Sequence, residues 1–165
     1  MSKVKVIFGS TTGNTERAAG LIAAALGGDA VNVSSASRDD FDADLLILGT
    51  STWGCGDLQD EWLSSSGIID TLDLTGRKVA LFGLGDAMGF GDTFINGVGT
   101  LYRQLISRGA EIIGKCPVSG YEFSDSSAVV DGEFVGLPLD DDNEPEKSEA
   151  RISAWCGQLK AEAGL

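Results

Sequence analysis

Four apolar runs, at residues 4–8, 45–48, 79–84 and, more briefly, 112–113, are continuous instead of alternating. A strand with one face in water alternates apolar and polar side chains, so these runs predict strands of a parallel sheet covered on both faces. Residues 30–33 make a weaker strand, expected nearer an edge. Helical repeats lie between them. Ala18, Leu21, Ile22, Ala25 and Leu26 recur at helical spacing, and Gly27-Gly28 stops that helix. Residues 97–108 set Val98, Leu101, Leu105 and Ile106 on one face. A last helix, with Ser148 as its cap, carries Ile152, Trp155, Cys156 and Leu159.

Strands alternating with helices over short connections predict an α/β fold, a doubly wound three-layer sandwich with right-handed crossovers. Ligands of such sheets sit at the carboxyl ends of the strands, which directs attention to the loops at 9–15, 50–61 and 85–94. The 165 residues are expected to form a single domain, 1–165, whose core needs no disulfide or metal. One segment breaks the alternation. Residues 119–143 far exceed the usual strand-to-helix loop of about 2–6 residues. Within them Val129-Val130-Asp131-Gly132-Glu133-Phe134-Val135 sets an Asp-Gly turn between strand formers, so a β-excursion is expected at about 119–139.

Composition narrows the chemistry. There is no histidine, which removes Ser-His-Asp and Cys-His nucleophiles, His-ligated zinc and any imidazole proton transfer. Cys55, Cys116 and Cys156 form no CxxC pair, which argues against a disulfide framework or zinc site. The net charge is −13, with no Lys/Arg cluster to bind a nucleic-acid backbone or an anionic membrane. Between Asp39 and Asp73 stand nine acids and no Lys or Arg. Partners are expected to carry a basic patch, since opposite fields speed encounter. No apolar run approaches the roughly 20 residues that span a bilayer, and the first strand follows Met1 too closely for a signal peptide, so a cytoplasmic location is expected.

The loop Gly9-Ser10-Thr11-Thr12-Gly13-Asn14-Thr15 joins a buried strand to a helix and has hydroxyls at four of its seven positions. A helix start offers free N–H groups and partial positive charge, which suits a phosphate dianion. With no lysine in it, the loop is not a nucleoside-triphosphate loop, and with no glycine from Ser10 to Thr12 it lacks the dinucleotide fingerprint. After the third strand comes Thr50-Ser51-Thr52-Trp53-Gly54-Cys55-Gly56-Asp57, whose indole can cover a flat ring. Trp62 is assigned to packing. After the fourth comes Gly83-Leu84-Gly85-Asp86-Ala87-Met88-Gly89-Phe90, with a second aromatic. A neutral phosphate cradle, two aromatic walls and no acid–base group describe a site for a planar monophosphorylated cofactor, and flavin mononucleotide (FMN) fits. A receiver-type signalling module would need clustered acids after the first strand and an aspartate ending the third, where Gly9-Ser10 and Gly49-Thr50 stand.

On these motifs the chain resembles the flavodoxins, specifically the long-chain type. The likeness rests on Ser10-Thr11-Thr12-Gly13-Asn14-Thr15, Thr52-Trp53-x-x-Gly56-Asp57-Leu58-Gln59, Gly83-Leu84-Gly85-Asp86, Gly120-Tyr121-Glu122-Phe123, Phe134-Val135-Gly136-Leu137 and Asp140-Asp141-Asp142-Asn143. It implies a five-stranded parallel sheet of order 2-1-3-4-5 and one noncovalent FMN. It implies a low-potential one-electron carrier working through the semiquinone/hydroquinone couple, with no substrate turnover of its own. Ser10, Thr11, Thr12, Gly13, Asn14 and Thr15 would hold the phosphate. Thr50, Ser51, Thr52, Trp53, Gly54, Cys55 and Gly56, with Leu84, Gly85, Asp86, Gly89 and Phe90, would hold the isoalloxazine, and Asp142 would lie near the ribityl chain. Phe90 departs from the family's usual tyrosine. A flavin-dependent NAD(P)H:quinone reductase would share the architecture but needs a nicotinamide site as well.

Coulomb repulsion from a strongly negative protein makes the second reduction harder. The Gly54–Cys55 peptide is the candidate to turn a carbonyl toward the flavin N5–H, because glycine reorients cheaply. The acids of 39–73 and 140–149 are expected to frame the exposed cofactor edge. They would dock basic redox proteins such as an NADPH-dependent flavodoxin/ferredoxin reductase and low-potential oxidoreductases, with the chain itself a monomer.

Overall fold

The computed structural model describes residues 3–9, 13–53, 57–58, 60–89, 91, 93–141 and 143–165, with the backbone alone at 53, 57, 58, 60, 63 and 66. In chain order the elements are β1 (Val4–Phe8), α1 (Asn14–Leu26), β2 (Asp29–Asn32), β3 (Leu45–Trp53), β4 (Asp57–Leu58) and α2 (Asp60–Ser65). They continue with β5 (Lys78–Leu84), α3 (Asn96–Ser107), β6 (Glu111–Ile113), β7 (Cys116–Pro117), β8 (Val129–Val130), β9 (Glu133–Phe134), β10 (Leu137–Leu139) and α4 (Pro145–Ala163).

The main sheet is parallel and runs β2-β1-β3-β5, with β6 and β10 sharing the place beyond β5. β6 pairs with Lys78, Val79 and Ala80, whereas β10 pairs with Phe82, Gly83 and Leu84. Counting that pair as one position, the order is the expected 2-1-3-4-5. Residues 137–139, which the sequence pattern places in the excursion, thus complete the edge of the sheet. The chain between the two halves forms a second, antiparallel sheet of order β7-β9-β8. Its turn is Asp131-Gly132, with φ of 54° and 81°. Positive φ at both central residues is the two-residue hairpin geometry that matches strand twist.

The continuous runs are continuous because both faces are covered. Leu45, Leu46, Ile47, Leu48, Val79, Ala80, Leu81 and Phe82 are all but inaccessible to water. α1 and α4 pack together on one side, and α3 lies on β3 and β5. β2 is an edge strand and the least buried of the first three, as expected. Some helix details differ from the periodicity. In α1 the buried face is Thr15, Ala18, Ala19, Ile22 and Ala23, while Leu21 and Ala25 are exposed. Alanine is small enough to sit at the α1–β1 contact, so the stripe turns toward the alanines. In α3, Ile106 is exposed. α4 starts at Pro145 with Glu144 before it, not at Ser148. Proline suits the first helical position, where its missing N–H has no partner to lose. Ser148 sits one turn in, and its Oγ donates to Asp141 instead.

Candidate functional site

β1, β3 and β5 end side by side. The Gly9 N–H donates to the Gly49 carbonyl at 3.2 Å, and Thr50 and Ser51 stand in register with Gly83 and Leu84. β3 runs past the expected apolar segment as far as Trp53. Residues 50–53, which the sequence pattern leaves in a loop, are strand because β5 pairs with Thr50 and Ser51 while β4 folds back on Thr52 and Trp53.

Gly13 opens α1 with φ 92° and ψ −9° and, as a glycine, supplies no side-chain cap of its own. A Cβ there would touch nothing within 4 Å, so the glycine answers to backbone conformation and not to crowding. Left-handed backbone costs an L side chain roughly 1–2 kcal/mol. The first turn, with Asn14 and the buried Thr15, thus follows directly on the loop that leaves β1. Such a helix start suits a dianionic phosphate. The cation nearest in sequence, Arg17, turns to Asp141 at 3.6 Å.

At the end of β3, the Thr52 hydroxyl accepts the N–H of Gly97 at 2.9 Å, which ties the strand to the start of α3. A Cβ on Gly97 would come 3.0 Å from the Ser51 carbonyl and 3.2 Å from Thr52 Oγ1. Only glycine lets helix and strand end approach this closely. Trp62 is fully buried, and its indole N–H donates to the Gly49 carbonyl at 2.7 Å, the packing role assigned to it.

The loop after β5 is the most heavily braced. Gly85 N–H donates to the Leu139 carbonyl at 3.0 Å. Asp86 Oδ1 accepts the N–H of Gly89 at 2.7 Å and the Asn143 amide at 2.8 Å, and these donors hold its carboxyl below the usual carboxylate range. Farther along, the Gly91 carbonyl accepts Ser124 and Asp125 N–H groups, the Phe94 carbonyl accepts the Ser126 hydroxyl, and Asn96 Oδ1 accepts the Ser127 N–H. Phe94, Tyr121, Phe123 and Phe134 form an aromatic cluster beneath. Ala87 and Met88 of this loop line a cleft of about 540 Å³ together with Glu122, Glu144, Glu146 and Lys147.

Of the expected site residues, Gly13, Asn14, Thr15, Thr50, Ser51, Thr52, Leu84, Gly85, Asp86 and Gly89 are brought to this one edge. Trp53 is there by its backbone. Ser10, Thr11, Thr12, Gly54, Cys55, Gly56, Phe90 and Asp142 lie outside the described residues. Asp140 and Asn143 were missed as site-forming residues. Their signal was the dense run ahead of Pro145, in which Asp140 accepts the N–H of Asn143 across one turn.

The acids do not all frame this edge. Asp40 pairs with Lys5, Asp42 with Arg77, and Asp44 accepts the N–H of Lys3, all where β1 and β5 begin. Asp73 closes the turn on Thr75 before β5. The segment at 38–44 leads into β3, so its carboxylates sit at the amino end of the sheet. Glu61, held by Asn32 at the end of β2, is on the site side.

Comparison with known proteins agrees with this geometry. The flavodoxin family model matches residues 6–155. Flavodoxin from a Picosynechococcus species is 42% identical over 170 residues, covering 100% of both chains. The Klebsiella pneumoniae flavodoxin is 41% identical over 172 residues, covering 97% of this chain and 98% of its own. The crystal structure of Fusobacterium nucleatum flavodoxin bound to flavin mononucleotide superposes with a TM-score of 0.93 at 28% identity, over 98% of this chain and 99% of that one. The braced loops at one end of a 2-1-3-4-5 sheet and these full-length likenesses lead to one assignment: the chain belongs to the flavodoxin family.

Proposed function

We propose that this chain, acting as one domain, binds a single FMN noncovalently and carries electrons between redox proteins without turning over a substrate of its own. The start of α1 at Gly13, at the carboxyl end of β1, carries this reading: a left-handed glycine leads from strand into helix through a loop without Lys or Arg, which suits a phosphate seat made of neutral donors. The residues present fit the cofactor. Ser10, Thr11, Thr12, Gly13, Asn14 and Thr15 hold the phosphate. Thr50, Ser51, Thr52, Trp53, Gly54, Cys55 and Gly56, with Leu84, Gly85, Asp86, Gly89 and Phe90, would hold the ring, and Asp142 would serve the ribityl chain. Bound there, FMN supplies a ring that accepts and returns electrons singly.

The chain's own part is electrostatic and mechanical. Carboxylates of Asp86, Asp140, Asp141 and Glu144 lie at the loop after β5, and among the described residues Arg17 pairs with Asp141 while Lys147 and Arg151 pair with Glu144. Two like charges at 4 Å repel by about 1 kcal/mol in water and several times that nearer the interior. Added negative charge is therefore opposed, and the second one-electron couple lies below that of free FMN. The acidic rim draws basic partners into brief complexes, with the chain a cytoplasmic monomer. No helix among the described residues is long and apolar enough to cross a membrane.

Spectroscopy during anaerobic dithionite titration tests this directly. Flavin absorption bands and two separable one-electron steps are expected, with no steady NAD(P)H oxidation by the protein alone. A preparation that stays colourless under saturating FMN, or takes a dinucleotide instead, overturns it.

A further inference from the structure

We propose that Asn143 is a positioning residue that holds the loop from Asp86 to Gly89 in its ring-binding shape; the inference rests on the FMN reading above. Its Nδ2 donates to Asp86 Oδ1 at 2.8 Å and to the two Asp140 oxygens at 3.0 and 2.9 Å. Each carboxylate is tied in turn to the loop backbone. Asp86 accepts the Gly89 N–H at 2.7 Å, and Asp140 Oδ2 accepts the Ala87 N–H at 3.1 Å. Asp140 is 1% exposed, so its oxygens have little recourse to water.

The local turn does not require this arrangement. The bonds from Asn143 N–H to Asp140 Oδ1 and from Glu144 N–H to the Asp140 carbonyl already close it. The Asn143–Asp86 bond instead joins residues 57 apart in sequence. A neutral amide is suited to the place: it offers two N–H groups to two carboxylates and adds no charge beside a site that must hold an anionic cofactor. Removing it leaves two facing carboxylates short of donors. The same short segment reaches the phosphate end, since Asp141 meets Arg17 of α1. Asn143 and Asp140 are the members that reach the ring loop, and Asn143 ties the two carboxylates together.

The experiment compares Asn143→Ala and the isosteric Asn143→Asp with the unaltered holoprotein, measuring release of FMN and of riboflavin, visible circular dichroism of the bound flavin, and amide exchange at Ala87, Gly89 and the β3–β5 core. Loss of a hydrogen bond to a charged, part-buried group predicts that Asn143→Ala releases both flavins about tenfold faster. Asn143→Asp, with the shape kept and the donor replaced by a third carboxylate, is at least as severe. The dichroism changes, and exchange rises at Ala87 and Gly89 while the β3–β5 core stays as it was. Unchanged release in both variants overturns the proposal. So does weakening of FMN with riboflavin untouched, which would place the effect at the phosphate, or faster exchange throughout the core, which would make Asn143 a general structural residue. If the unaltered protein binds neither flavin, the FMN reading fails by itself. Exchange at Ala87 and Gly89 in the flavin-free chain then decides the clamp, sustained by a rise in the variants and overturned by none.

Discussion

At the amino end of the sheet the carboxylates stand beside cations or backbone donors: Asp40 and Asp29 with Lys5, Asp42 with Arg77, Asp44 with the Lys3 N–H. At the carboxyl end Asp86 and Asp140 share one neutral amide, and Glu122 and Glu146 line a cleft with Lys147. The same residue type serves local pairing at one end and, at the other, carboxylates that outnumber the cations Arg17, Lys147 and Arg151 beside them. A net charge of −13 is therefore a poor guide to where a partner docks; what matters is which carboxylates lack a nearby cation.

Charge reversal tests that contrast most strongly. Glu122→Lys with Glu146→Lys should slow reduction by a basic partner about tenfold or more at low salt, since steering by complementary fields spans that range. Asp39→Lys with Asp42→Lys, the same change in net charge at the other end, should leave the rate within about twofold. Equal losses from both pairs in stopped-flow mixing would erase the distinction between the ends.

A smaller effect isolates the phosphate seat. Gly13→Val forces a β-branched residue into left-handed backbone at a cost of about 1–2 kcal/mol, so titration calorimetry should find FMN bound about tenfold more weakly. Riboflavin, which has no phosphate, should lose much less.

Acid should act on the braced loop before the core. The donors around Asp86 lower its carboxyl, Asn143 first and the Gly89 N–H next. A depressed carboxylate contributes stability that is complete above the ordinary aspartate range and lost as pH falls through its own lower value. FMN release followed by fluorescence should stay flat down to the ordinary aspartate range and rise severalfold only below it. A rise centred near neutrality would contradict this.

The smallest change is expected at the amino end. Asp42→Ala removes a pair whose members are both well exposed, and such pairs are worth about 0–1 kcal/mol, so the melting temperature should move by no more than a few degrees.

Much of the sheet was legible because buried parallel strands announce themselves as unbroken apolar runs, and Leu45 to Leu48 could be little else. The passage from β1 into α1 was legible for a related reason: glycine and hydroxyls between a strand and a helix are a local signal. What escaped was nonlocal. No pattern within residues 140–143 says that Asn143 reaches Asp86, and none in 38–44 says which end of β3 those aspartates occupy. The latter follows only from chain direction, because a segment that precedes a parallel strand lies opposite the ligand edge. The start of α4 was misplaced because Ser148 looked like a cap while Pro145, the better signal, stood three residues earlier. Leu137 to Leu139 were set apart from the sheet because three residues are too few to register as a strand.

Those three residues have an evolutionary consequence. Since β6 and β10 each hold their own half of β5, the covalent path between them can change at the Asp131-Gly132 tip, away from the Ser124 to Ser127 stretch that braces the loop after β5, while the register of the edge stays put. The protein should tolerate new termini at the Asp131-Gly132 tip, and two fragments divided there should find each other and rebuild the cofactor seat, because everything that seat needs from the far fragment arrives through Leu139 and the residues just beyond it.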